Sequence, residues 1–232
     1  VGDDHRFKIK ELIKRGITKP TLRDEQSMVG PSELGTKCDF CLGVALTRAY
    51  PEYRLGLMDS ANSFGLKAWQ GTAVHEKLER DIPEVSWEGA TVVQENKVAV
   101  YELDGYGTIS GHVDLVWYTG DYLAVVDLKT TDRVKLKGYK LNGVPDSYVF
   151  QLNLYGYGIA QSWRDPDDVA ISFIPRDSND VDDVWTCFAP YNAAIAETAL
   201  DRLEWVWGKV RKGDLMLLAQ DTDDCWNCKP RW

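Results

Sequence analysis

The alternation of apolar and polar positions is clearest between residues 91 and 130. Residues 91–101, 109–117 and 122–130 read as three consecutive strands, the last two joined by the turn residues Thr119, Gly120 and Asp121. The third is not a one-sided strand. Leu123, Ala124, Val125, Val126 and Leu128 are apolar on both faces, which predicts a central strand covered on both sides. Residues 169–174 and 184–188 predict two more strands. Helical spacing predicts helices over 61–82, around Gln151–Tyr155, and over 192–212. In the last, Ala196, Leu200, Leu203, Trp207 and Val210 recur at intervals of four, three, four and three, a stripe expected to pack across the sheet. Ser32 is placed to cap a helix running toward Tyr50. Residues 1–30 are polar, with a short helix expected over 6–15, and read as an N-terminal arm; residues 31–232 read as one domain.

The central strand carries the candidate chemistry. Asp127 and Lys129 are two apart, so they project to one face, and Asp114 lies on the adjoining strand. Two carboxylates can hold a hard cation such as Mg²⁺ or Mn²⁺ through oxygen, and that cation can polarise a phosphate. An ammonium beside them can stabilise charge in a transition state. Asp-x-Lys also occurs on solvated strands, but here it sits in an apolar run, where buried charges need partners or a metal.

Three further groups fall around this trio. His75 and Glu79 are four apart on one helix face, and a neutral His75 could ligate a metal. A lone helical histidine is also a common structural residue. Glu95, within the first strand, reads equally as an additional acidic group or as an exposed strand glutamate. Gln151 and Tyr155, with Tyr148 three residues earlier, form a polar and aromatic stripe suited to a phosphate or a base, or to ordinary packing.

Charge changes the picture only locally. The chain has 232 residues and a formal net charge of −9, which argues against a general nucleic-acid binder. Distribution matters more than the sum. Lys129, Arg133, Lys135, Lys137 and Lys140 stand against the single acid Asp132, directly after the Asp-x-Lys strand. This segment reads as a phosphate contact or as a solvated loop. The acids collect at 165–168, 177–183 and 221–224. No apolar stretch approaches the length of a membrane span, and no Gly-x-x-x-x-Gly-Lys-Ser/Thr phosphate loop is present.

Four of the five cysteines form two Cys-x-x-Cys pairs, Cys38/Cys41 and Cys225/Cys228. A two-residue gap lets both thiolates reach one centre, and four thiolates predict structural Zn²⁺ by default. Cys187 stands alone in a strand and reads as a small buried hydrophobe. Lacking a secretory signal, the chain is expected to work in the cytoplasm of a bacterial cell, whether the gene is bacterial or phage-borne.

The order Gly71-x-x-x-His75-x-x-x-Glu79, Gly111-x-x-Asp114, Asp127-x-Lys129 and Gln151-x-x-x-Tyr155 resembles the RecB-type branch of the PD-(D/E)XK nuclease superfamily, the group that includes Cas4-like nucleases. The resemblance implies an α/β core, a central mixed sheet flanked by helices, whose ends are joined by the four-cysteine centre. It implies that His75, Asp114, Asp127 and the Leu128 carbonyl hold the divalent metal, that Lys129 is catalytic, and that Gln151 and Tyr155 position the DNA strand and the active site. It also favours a [4Fe–4S] cluster over zinc, although the family's usual one-plus-three cysteine arrangement is here two plus two. The implied activity is hydrolysis of DNA, by an exonuclease on single strands or frayed ends, with any unwinding supplied by a partner such as a helicase or recombination protein. Two other classes remain open: a DNA-binding scaffold that has lost catalysis, and a zinc-stabilised interaction module.

Overall fold

The computed structural model describes residues 28–53, 66–82 and 91–220, together with Cys225 and Cys228. Five strands form one sheet in sequence order: β1 (Thr91–Leu103), β2 (Gly107–Tyr118), β3 (Leu123–Thr131), β4 (Asp168–Pro175) and β5 (Trp185–Pro190). Only β3 and β4 run parallel; the other neighbours are antiparallel. Parallel neighbours cannot be joined by a hairpin, so the chain must cross over between them. The helices are α1 (Pro31–Leu34), α2 (Asp39–Leu46), α3 (Leu66–Asp81), α4 (Arg133–Asn142), α5 (Asp146–Ser162) and α6 (Ala193–Arg211). The crossover is α4 and α5.

The mixed α/β architecture is the one expected, and β3 is the central strand with its apolar run buried. α5 is the axis of the core. From Gln151 to Gly156 every side is covered, by the sheet on one flank and by α6 and α1 on the other. Gly158 permits the close approach, since a Cβ there would lie 3.1 Å from both the Ala99 carbonyl and Val98 Cβ. α6 buries the predicted stripe and adds Ala199 and Val206. It packs over α5 and α2 rather than directly across the sheet, because α5 already occupies that face.

Three expectations change. Ser32 does not cap a long helix. It lies inside α1, whose cap is Gly30 with Pro31 in the first turn, and Glu33 accepts the Gly30 N–H at 3.1 Å. A second helix, α2, begins after Cys38, whose sulfur accepts the Cys41 N–H. The basic segment is a helix, α4, capped by Asp132 through the Lys135 N–H at 2.9 Å. Cys187 on β5 is only partly buried. Of the arm, residues 1–27, including the helix expected over 6–15, lie outside the described residues, as do 61–65 of the helix expected to start at 61. Val29 is fully buried and donates its N–H to the Tyr106 hydroxyl at 3.0 Å. Among the described residues no helix is long and apolar enough to cross a membrane.

Candidate functional site

The site begins where two strands part. The β2–β3 ladder runs from Tyr118–Leu123 to Leu115–Val126 and stops. Asp114 and Asp127 are the next residues on each strand. With the backbone ladder ended, the Leu128 N–H needs another acceptor, and Asp114 Oδ2 takes it at 2.7 Å. The glycines explain how helices reach this split. A Cβ at Gly111 would lie 2.8 Å from Pro31 Cδ and 3.0 Å from the Tyr155 ring, so α1 and α5 close over it only if the side chain is absent. A Cβ at Gly71 would lie 3.2 Å from Thr130 Oγ1. One turn after that contact between α3 and β3, His75 Nδ1 stands 3.3 Å from Asp114 Oδ1. Glu79, a further turn along, is partly buried.

Asp127 is 3 % exposed. Gln151 Nε2 donates to its Oδ1 at 3.1 Å and also approaches the Tyr155 hydroxyl at 3.3 Å. Its Oδ2 lies 2.7 Å from Lys129 Nζ, yet receives no directed hydrogen bond. Burial pushes the Asp127 carboxyl up to about 6, against the pull of the Lys129 charge. Burial also opposes ionisation of Asp114, but the His75 hydrogen bond, with help from the Leu128 N–H and Lys129, holds it below the ordinary carboxylate value. The same Asp114 bond raises His75 above its usual value. Lys129 is a quarter exposed, with its ammonium 5.9 Å from the Tyr148 ring centre. That ring rests on Phe173 and Tyr139.

Two carboxylates and an imidazole are the donor set a hard or borderline divalent ion accepts. Asp127 Oδ2, buried without a hydrogen bond, is the oxygen such an ion would satisfy. Leu128, the predicted carbonyl donor, lies between Asp127 and Lys129 on β3. Each carboxylate is turned toward a cationic partner, Asp114 to His75 and Asp127 to Lys129. In keeping with this, their oxygens and the imidazole do not converge as the cysteines do. The protonation states give a test. Metal binding must displace the Asp127 proton when the carboxyl is protonated, so Mn²⁺ affinity should rise with pH. With His75 also raised above its usual value, we expect it to climb more steeply than tenfold per pH unit below about 6, where both protons must leave, and to keep rising above 6 until His75 is neutral, measured by calorimetry on inactive protein. A flat profile between pH 5 and 7 would contradict Asp127 as ligand.

The remaining predicted residues lie apart. Arg133, Lys135, Lys137 and Lys140 are all exposed on α4. At 3.6 residues per turn, Arg133, Lys137 and Lys140 share one face and Lys135 points the other way. Arg133 is 3.6 Å from Asp183, and Lys140 lies over the Trp185 ring at 5.8 Å. The side chain of Glu95 is outside the described residues. Tyr139 and Phe173, which support Tyr148, were not singled out from the sequence; they come from separate elements and leave no periodic signal.

The second site joins the two ends of the chain. Cys41 Sγ is 3.3 Å from Cys225 Sγ and 3.5 Å from Cys228 Sγ, and Cys38 Sγ is 3.6 Å from Cys228 Sγ. Among the described residues this is the one group of three or more His, Cys, Asp or Glu ligand atoms lying within 4.8 Å of one another. Burial and the neighbouring thiols push Cys41 far up and Cys228 to about 11. Such thiols stay protonated unless a cation compensates their charge. Zn–S bonds of roughly 2.3 Å at tetrahedral angles put sulfurs about 3.8 Å apart, close to the observed spacing. A [4Fe–4S] cube, with each thiolate on its own iron, needs them farther apart. Arg202 of α6 steadies the approach: it pairs with Asp39 at 2.7 Å and donates to the Leu34 and Thr36 carbonyls. As a lone arginine on an amphipathic helix it gave no sequence signal.

The sequence model of the PD-(D/E)XK nuclease superfamily matches residues 76–231, more than half of the chain. No curated protein sequence matches. Among solved structures, an alkaline exonuclease from Laribacter hongkongensis is similar at 12% identity and TM-score 0.56, over 82% of this chain and 91% of that one. The same enzyme in complex with dAMP gives 13% and 0.54 over the same shares. A phage-related exonuclease from Haemophilus somnus 129PT gives 14% and 0.46, over 82% and 94%.

Proposed function

Because this chain belongs to the PD-(D/E)XK nuclease superfamily, we propose that it is a divalent-metal-dependent deoxyribonuclease, acting as an exonuclease on single-stranded DNA or frayed DNA ends. The observation that carries this reading is the buried Asp127, held by Gln151, beside Lys129 and across the strand split from Asp114. His75, Asp114, Asp127 and the Leu128 carbonyl are the ligands we assign to Mg²⁺ or Mn²⁺. When bound, the ion supplies the Lewis acid that polarises a phosphate oxygen.

The protein's own groups do the rest. Gln151 fixes the Asp127 carboxylate through Oδ1, leaving Oδ2 beside the Lys129 ammonium. Tyr155 fixes Gln151 in turn, so these two residues position the active site from beneath rather than touching DNA. Lys129 presents a partly exposed ammonium where negative charge develops, steadied by the Tyr148 ring. The exposed cations of α4 are the phosphate contacts nearest in sequence to the site. The likeness in fold to one exonuclease, the Laribacter hongkongensis enzyme, supports the choice of exonuclease. We assign any unwinding to a helicase or recombination factor. The setting we infer is repair, recombination or phage DNA processing in a bacterial cytoplasm. At the cysteine centre the sulfur spacing supports one structural Zn²⁺, the alternative to the [4Fe–4S] cluster favoured by the resemblance.

The test is incubation of anaerobically purified protein with Mn²⁺ and end-labelled single-stranded DNA. Mononucleotide or short products that vanish with EDTA support the reading. Binding without cleavage points to the inactive scaffold, and neither binding nor cleavage to the interaction module.

A further inference from the structure

Along α4 the apolar residues fall in two opposite directions. Leu136 and Tyr139 face the core: Leu136 is buried, and the Tyr139 ring centre lies 4.9 Å from that of Phe173. Val134 and Leu141 point outward, 81% and 80% exposed. At 3.6 residues per turn they lie along one line, with Gly138 between them. Lone exposed aliphatic side chains are ordinary on a protein surface. The glycine sets this line apart. Inside a helix it is destabilising relative to alanine, and a Cβ at Gly138 would meet nothing within 4 Å. No packing among the described residues therefore requires it. Bare backbone between two exposed aliphatic side chains lets another chain approach closely.

The charges around this strip select its occupant. Lys137 and Lys140 flank it on one side and Lys135 on the other, all exposed. At the start of the helix the balance reverses. Asp183 lies 3.6 Å from Arg133, and Asp177 accepts the Arg133 N–H at 2.9 Å. The loop that holds these acids also carries Val181, exposed between Asp180 and Asp182. A DNA backbone would pair with the lysines and leave Val134 and Leu141 in water. An acidic segment with apolar residues on one face covers both, its carboxylates over Lys137 and Lys140 and away from the acidic loop. Two aliphatic side chains and the stems of the lysines offer a small area, of the transient class of interface. That suits a short segment rather than a second folded domain.

We propose that the outward face of α4 docks a short acidic, amphipathic segment of a partner protein, with Val134 and Leu141 as the apolar anchors and Gly138 as the point of closest approach. Docking here is independent of cleavage and stands whether or not the chain cuts DNA. Gly138 then weakens the helix and strengthens the contact, opposite effects that a merely exposed helix would not produce.

The experiment measures, by fluorescence anisotropy on the full metal-replete chain, binding of a labelled glutamate-rich peptide with leucines at i, i+3, i+4 and i+7. A control peptide has the same composition with its leucines scattered around the helix. The wild type should bind the first peptide more tightly. Val134→Ser and Leu141→Ser should each weaken that binding by about tenfold, the worth of burying one aliphatic side chain. Their melting temperatures should stay within about 2 °C of wild type, with DNA cleavage unchanged. Gly138→Ala should raise the melting temperature by about 1–4 °C and yet weaken peptide binding. Lys137→Gln should reduce the salt dependence of binding. Equal binding of the two peptides, no binding by the wild type, or wild-type affinity in all three strip variants would each overturn the proposal. So would serine variants that lose an oligothymidylate or phosphatidylglycerol vesicles in place of the peptide, since the face would then be a nucleic-acid or membrane contact. Cleavage of end-labelled DNA is followed in parallel, and its absence from a wild type that binds the peptide would sink the nuclease reading alone.

Discussion

Asp127→Ala and Lys129→Ala will each reduce DNA cleavage by at least ~10²-fold, the usual effect of removing one group that stabilises a transition state. The two variants will differ in metal binding. Asp127 supplies a buried oxygen with no hydrogen bond of its own, so its removal takes away the proposed ligand and Mn²⁺ affinity should fall. Lys129 contributes positive charge 2.7 Å from that oxygen. Without it the local field is more negative, so Mn²⁺ should bind at least as well while chemistry stops. Neither substitution should unfold the protein. Asp127 is ionised against its burial, so its loss relieves a desolvation cost while leaving the Gln151 amide short of one acceptor. Calorimetric Mn²⁺ titrations with single-turnover cleavage separate these effects. A clean Lys129→Ala preparation that cuts at near wild-type rate would overturn the assignment.

Much of this site was legible in the sequence because strands and helices impose fixed spacings. The i, i+2 relation put Asp127 and Lys129 on one face, and the run from Leu123 to Leu128 marked β3 as covered, as it is. The i, i+4 relation put Gln151 and Tyr155 together, and they share a hydrogen bond. What spacing could not reach was anything decided between elements. The parting of β2 from β3 at Leu115–Val126 depends on register, and no local pattern records it. The aromatic support under Tyr148 comes from α4 and β4. The basic segment was legible as charge but not as shape: once it is a helix, two residues of separation turn Lys135 away from Arg133 and into a different surface. The α1 cap was misread because Pro31 favours the first helical turn and shifts the cap back to Gly30.

The second large effect concerns the cysteines. Cys228→Ala will lower the melting temperature by about 5–20 °C, from a loss of roughly 2–5 kcal/mol comparable to removing a long-range cross-link. Cys41 and Cys225 are 184 residues apart in sequence, yet their sulfurs stand 3.3 Å apart. A metal joining them closes almost the whole chain into a loop, which restricts the unfolded state far more than the folded one. The centre also anchors local structure. Cys38 both belongs to it and caps α2, and Arg202 ties the adjoining turn to α6. Cleavage should fall in Cys228→Ala only in step with the folded fraction, because none of the four thiols belongs to the Asp114–Asp127 site. Cys187, partly buried on β5 and outside the cluster, should tolerate alanine with a change below about 1 kcal/mol. Metal analysis of protein from iron-supplemented cells, purified without oxygen, identifies the ion. The sulfur spacing predicts colourless protein with about one tightly held zinc per chain. Brown protein with about four irons and four sulfides would replace zinc by the cluster and keep the ligands. Unchanged melting in both Cys38→Ala and Cys228→Ala would reject a shared centre altogether.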